Sequence, residues 1–122
     1  MKLSITKDQF TQGLQAVQNV VGARTTLPVL SNVLVEADDN WIRLTATDLD
    51  VTIACRVDAK VAKKGACTLP AKRLFSMVRE AANPEIELEV GERNVCTIRS
   101  GPSVFKLNGL PAEDFPPEDR ST

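Results

Sequence analysis

Residues 2–21 read KLSITKDQFTQGLQAVQNVV, and two hydrophobic periods meet inside them. Leu3 and Ile5 alternate with Lys2 and Ser4, the two-residue period of a strand with one buried face. From Phe10 onward the apolar positions Phe10, Leu14, Val17 and Val21 recur at helical spacing and fall along one side of a helix. Thr6 stands three residues before Gln9 where one period gives way to the other, which is the spacing of a capping box. Gly22 ends the stripe. The expectation is a short strand running directly into an amphipathic helix from Lys7 to about Val21.

The same succession returns later. Residues 65–82 read GACTLPAKRLFSMVREAA, a strand near 65–69 followed by a helix from about Ala71 to Ala82. In that helix Ala71, Leu74, Met77, Val78 and Ala81 make the apolar stripe, Pro70 suits the entry, and Asn83-Pro84 stops it. Alternating apolar runs near 29–37, 41–47 and 49–57 follow the first helix, parted by Asp38-Asp39-Asn40 and a turn near Asp48; runs near 85–90, 94–99 and 103–107 follow the second. The chain therefore reads as an α+β domain of two βαβββ units, with two helices packed on two small antiparallel sheets. The repeat lies in the order of elements; Thr-Leu-Pro at 26–28 and at 68–70 falls in different contexts and reads as coincidence. Residues 1–108 are expected to form the domain. From Gly109 to Pro117 no period survives, so residues 109–122 read as the start of a linker.

A chain of 122 residues is one domain's length, and its apolar runs are strand-length, so neither a membrane-spanning helix nor a secretory leader is expected. The expected location is the cytoplasm. Cys55, Cys67 and Cys96 are odd in number and form no C-x-x-C pair, which points to reduced thiols packed as small hydrophobes. There is no His and no Tyr, which excludes His-based triads, acid–base pairs and metal sites. None of the six glycines opens a helix in a phosphate-cradling pattern. No cofactor and no metal are expected. The suggestive pair is Asp48 and Asp50, which on an extended strand would share a face and could hold a divalent cation. A turn role for Asp48 and a solvent-facing one for Asp50 account for the same residues. The net charge of −1 means that any nucleic-acid surface must be local.

Several stretches are more specific than composition. Gly22-Ala23-Arg24-Thr25-Thr26-Leu27-Pro28-Val29-Leu30-Ser31-Asn32 resembles the segment after the first helix in bacterial sliding clamps, the beta subunits of DNA polymerase III. The resemblance continues through Leu44-Thr45-Ala46-Thr47-Asp48-Leu49-Asp50, Leu69-Pro70-Ala71-Lys72 and Ile98-Arg99-Ser100-Gly101. It closes on Leu110-Pro111-Ala112-Glu113-Asp114-Phe115-Pro116, in family order and over nearly the whole chain. It implies the processivity fold, as the first of three domains in a subunit that closes head-to-tail with a second copy into a ring around duplex DNA. The implied role is to tether the replicative polymerase for processive replication, with DNA polymerase III subunits and the clamp loader as partners, and without catalysis. The family's main peptide pocket would lie in the later domains.

The resemblance also implies that helices face the DNA. Gln12, Gln15 and Asn19 lie opposite the first apolar stripe, and Lys72, Arg73 and Arg79 are on the second helix with Ser76 between them and Glu80 on the flank. Arg24 matches the family arginine that contacts DNA. A few cations among neutral donors attract phosphate without reading bases, although an ordinary solvated helix surface would show similar residues. Phe105 and Leu107 share one face of the last strand, which in the family pairs with the other subunit, and Arg73 and Met77 match family interface positions. The alternative is that Phe105 and Leu107 fill this domain's own core. Glu85, Glu87 and Glu89 form a carboxylate row on one strand face, read as a solvated face or as a strip that keeps DNA from the outer side. A protein-interaction module using an exposed sheet edge without touching DNA is the rival reading. A metal-dependent hydrolase on Asp48 and Asp50 would lack further clustered ligands.

Overall fold

The switch from strand to helix at Thr6 is visible in its hydrogen bonds. The Gln9 backbone N–H donates to Thr6 Oγ1 at 3.2 Å, and the hydroxyl donates on to Gln9 Oε1 at 3.1 Å. The glutamine thus closes the cap through the hydroxyl, satisfying one of the donors that a helix start leaves open. A computed structural model describes residues 1–18, 32–47, 51–81 and 83–115 of the chain. In order, the elements are β1 (Lys2–Thr6), α1 (Lys7–Gln18), β2 (Asn32–Asp38), β3 (Trp41–Thr47), β4 (Thr52–Asp58), β5 (Lys60–Lys63) and β6 (Gly65–Pro70). They continue with α2 (Ala71–Glu80), β7 (Glu85–Val90), β8 (Val95–Ser100), β9 (Ser103–Asn108) and β10 (Leu110–Pro111).

Each unit exchanges its first strand with the other. One five-stranded sheet runs β5-β1-β7-β8-β9 and the second runs β10-β6-β2-β3-β4, every pair antiparallel. The β7–β9 meander of the second unit is therefore completed by β1, and the β2–β4 meander of the first by β6. Leu3 pairs with Leu88 and Ile5 with Ile86 on one side, and Val33 with Leu69 and Val35 with Cys67 on the other. Neither unit has a closed sheet without the other. Each expected four-stranded sheet gains a fifth strand, β5 flanking β1 and β10 flanking β6.

Each helix buries one face in the core. Phe10, Leu14 and Val17 of α1 and Ala71, Leu74 and Val78 of α2 are buried with Ala81 and the inward residues of both sheets, and each large one contributes about 1.5–3 kcal/mol of transfer free energy. Met77, expected in this stripe, is only half-buried at its margin. Packing is tight at Gly13, where a Cβ would stand 2.6 Å from Val57 Cγ2 and 2.9 Å from Leu44 Cδ1. The absence of a side chain is what lets α1 settle on β3 and β4.

The domain extends past Asn108, which corrects the expected linker start at residue 109. Leu110 and Pro111 pair with Thr68 and Cys67, the Gly109 N–H donates to the Asn94 carbonyl at 2.8 Å, and Phe115 is buried. A Cβ on Gly109 would meet the Thr68 and Asn94 carbonyl oxygens, so this residue too is held by packing. The stretch lacked a period because two residues are too few to show one, and Pro111 is tolerated on a strand at the sheet's edge. Residues 116–122, also assigned to the linker, lie outside the described residues, as do Val21 and Gly22 at the expected end of the first helix.

Candidate nucleic-acid and subunit interfaces

Because the apolar stripes of α1 and α2 are consumed by the core, the opposite faces of both helices are presented to solvent. Gln12 and Gln15 on α1 and Lys72, Arg73, Ser76 and Arg79 on α2 are all exposed, and the two helices pack against each other. The structure thus brings these six residues onto one helix pair. Asn19 and Arg24 lie outside the described residues. Lys72, Arg73, Ser76 and Met77 line a shallow open recess of about 310 Å³. One turn on, the Arg79 guanidinium stands 5.7 Å from the centre of the Phe75 ring, within cation–π range. Phe75 had no assigned role in the sequence; its spacing of four from Arg79 on a helix was the available signal.

Two of these cations sit where helix stability does not favour them. Lys72 and Arg73 occupy the first turn of α2, the positive end of its dipole, and no acidic residue stands there. Pro70 at the N-cap offers no side-chain hydrogen bond to offset this. The dipole favours Asp or Glu at these positions by about 0.3–1 kcal/mol. Local rules broken at exposed positions mark places where something other than folding selects the residue.

The β9 edge differs in part from the sequence expectation. Strand β9 ends its sheet, and on its outer side no described strand pairs with it. Ser103 lies opposite Ser100 across the two-residue turn Gly101-Pro102, and the Gly109-to-Asn94 hydrogen bond continues the same register. Odd residues of β9 therefore bond to β8, and the backbone groups of Val104, Lys106 and Asn108 point away from the sheet. Alternation turns Phe105 and Leu107 inward, opposite Ile98 and Cys96. Leu107 is only 4 % exposed and lies in this domain's core, the second of the two readings the sequence left open. A residue already dry in the separate domain has no apolar area left to bury against a partner. Phe105 is half-buried at the rim, Met77 is half-buried, Arg73 is exposed, and Val104 is 56 % exposed. Val104 is the apolar edge residue that periodicity did not single out, since on a strand its parity assigned it to solvent.

The carboxylate row does not form a single-signed strip. Glu85, Glu87 and Glu89 are exposed on β7, yet Lys2 stands opposite Glu89 and Arg99 opposite Glu87. Asp48 and Asp50 lie outside the described residues, and among the described residues no group of three or more His, Cys, Asp or Glu could hold a metal ion. All three cysteines are free thiols. Burial pushes Cys67 up to about 11, and burial followed by the nearby Cys67 pushes Cys96 up to about 12, so both stay protonated near neutrality. Burial also raises Cys55.

Residues 1–119 match the family described as DNA polymerase III beta subunit, N-terminal domain. The chain belongs to that family. Its relatives include the Beta sliding clamp of Chlamydia muridarum, 40% identical over 116 residues, covering 95% of this chain and 32% of that protein. The Beta sliding clamp of Escherichia coli K12 is 39% identical over 120 residues, again 95% of this chain and 32% of the relative. Among solved structures, the Caulobacter crescentus sliding clamp superposes with a TM-score of 0.93 at 36% identity, over 98% of this chain and 33% of that one. The Bacillus subtilis clamp gives 0.94 at 29% identity, over 98% of this chain and 34% of that one. The chain spans about a third of the length of the relatives it matches. The fold is that of the family's first domain, with two helices and two five-stranded antiparallel sheets.

Proposed function

We propose that this domain is one segment of a ring that encircles duplex DNA and tethers the replicative polymerase, with the α1–α2 face toward the DNA and the β9 edge joined to a second copy. The observation that carries this reading is the exposed cation and amide surface of the helix pair, with Lys72 and Arg73 set against the dipole of their own helix. Three cations among neutral donors on an otherwise acidic chain attract phosphate backbone without base readout, which lets a ring slide. The role is non-catalytic. The compartment is the cytoplasm; among the described residues no helix is long and apolar enough to cross a membrane. DNA polymerase III subunits and the clamp loader are the expected partners. The boundary with the following domain falls after Phe115.

For the edge, the outward backbone groups of Val104, Lys106 and Asn108 are the pairing element, with Phe105, Met77 and Arg73 at the rim and Val104 covered by the partner. Arg24 is assigned to DNA with Gln12, Gln15, Asn19, Lys72, Arg73 and Arg79. The experiment is a salt titration of full rings on circular DNA. Arg24→Ala is expected to weaken retention and lower the logarithmic salt slope by about one contact, with no change of sequence preference. An unchanged slope for Arg24→Ala, and again for Lys72→Gln with Arg73→Gln, would remove the DNA face from this domain.

A further inference from the structure

Lys7 joins the two helices at one point. Its Nζ donates to the Ala81 carbonyl at 2.7 Å, and its backbone N–H donates to the Pro84 carbonyl at 2.8 Å. Lys7 is the first residue of α1, and Ala81 is the residue at which the chain leaves α2, with φ −61° and ψ 129°. The start of one helix thus holds the end of the other. The junction is itself tied to the sheet, since Asn83 Oδ1 accepts the Glu85 N–H at 2.9 Å and Thr6 pairs with Glu85 across β1 and β7.

We propose that Lys7 is a positioning residue for the DNA-facing cations of α2, fixing the last turn of that helix, and with it Arg79, without touching DNA. The proposal rests on the reading of the helix pair as the DNA-facing surface. The ten residues of α2 are too few for a helix to be stable on its own, and Pro70 supplies no cap. Packing of Leu74 and Val78 secures the middle. At its C-terminal end the Val78 carbonyl accepts the Ala81 N–H at 3.2 Å, and the partly buried Lys7 ammonium satisfies the Ala81 carbonyl and complements the dipole. Arg79 is two residues before Ala81. Its ring contact with Phe75 is at the long end of the cation–π range, so its aim depends on the backbone beneath it. The half-buried Lys7, already bonded to a carbonyl, is not placed to serve phosphate directly.

Two measurements test this with Lys7→Met, which keeps the length of the side chain, and Lys7→Arg, which keeps the donor. In this chain, Lys7→Met is expected to speed amide exchange in the last turn of α2 about tenfold while β7 and β8 keep their rates, with Lys7→Arg restoring it. In rings containing this domain, Lys7→Met is expected to shorten retention on closed circular DNA about threefold, and to add nothing in an Arg79→Gln background. Unchanged exchange in α2 would overturn the clasp itself. An equal further loss in the Arg79→Gln background would make Lys7 a phosphate contact and overturn its positioning role. Retention unaffected by Arg79→Gln, Lys72→Gln and Arg73→Gln together would instead defeat the DNA-facing reading, and the functional half of this proposal with it.

Discussion

Gly13 of α1 and Val57 of β4 approach so closely that a methyl group on Gly13 would lie 2.6 Å from Val57 Cγ2. Placing a glycine inside a helix costs about 1 kcal/mol relative to alanine, and the close approach to β4 is what that weakness allows. Gly13→Ala should therefore destabilise, because overpacking a filled core costs about 1–3 kcal/mol and exceeds the gain in helix propensity. Urea unfolding of the two chains would measure it. Equal or greater stability of the alanine variant would mean that the contact relaxes without strain.

Leu107 and Val104 are expected to separate folding from assembly. Leu107→Ala empties a buried position beside Cys96 and Ile98 and should cost about 2–5 kcal/mol of stability. Val104→Asp changes a side chain that is more than half exposed, so the fold should tolerate it while a full-length ring dissociates into monomers. Sedimentation together with thermal melts decides between them. Intact dimers of the Val104→Asp subunit would remove this edge residue from the interface.

Charge reversal at Lys72 should move two quantities in opposite directions. A carboxylate in the first turn of α2 meets the helix dipole with the favourable sign, so Lys72→Glu is expected to gain about 0.3–1 kcal/mol in stability at low salt. Rings carrying it should leave circular DNA faster. If both stability and DNA retention fall, Lys72 is a structural residue, and the contrast between folding and function at the head of α2 disappears.

Thiol chemistry should report the core. With their pKa values raised to about 11 and about 12, Cys67 and Cys96 carry almost no thiolate at pH 8 and are sealed from solvent, so an alkylating reagent should reach them only on unfolding. Half-buried Cys55 should react first, slowly, at a rate that rises with pH. Labelling followed by mass spectrometry reads the order, and early modification of Cys96 would mean that β8 opens locally.

Much of this domain was legible in the sequence, because hydrophobic periods are local. The spacing of Phe10, Leu14 and Val17 and of Leu74 and Val78 made the helices readable, and their exposed faces followed by subtraction; the observed elements lie close to the predicted runs. Strand pairing was different. A backbone ladder offers the same donors and acceptors to any neighbour, so nothing in KLSIT by itself selects β7 over β2 as its partner; closure of both sheets around two helices decides it. The same holds for the short strands β5 and β10, which exist only as partners of β1 and β6. Alternation showed that Phe105 and Leu107 share a face, but which way that face turns depends on what covers it, and only the folded chain places Cys96 over Leu107 and leaves Val104 outside. The contact between Lys7 and Ala81 was hidden for the same reason: it spans 74 positions of sequence and forms only once both helices are docked.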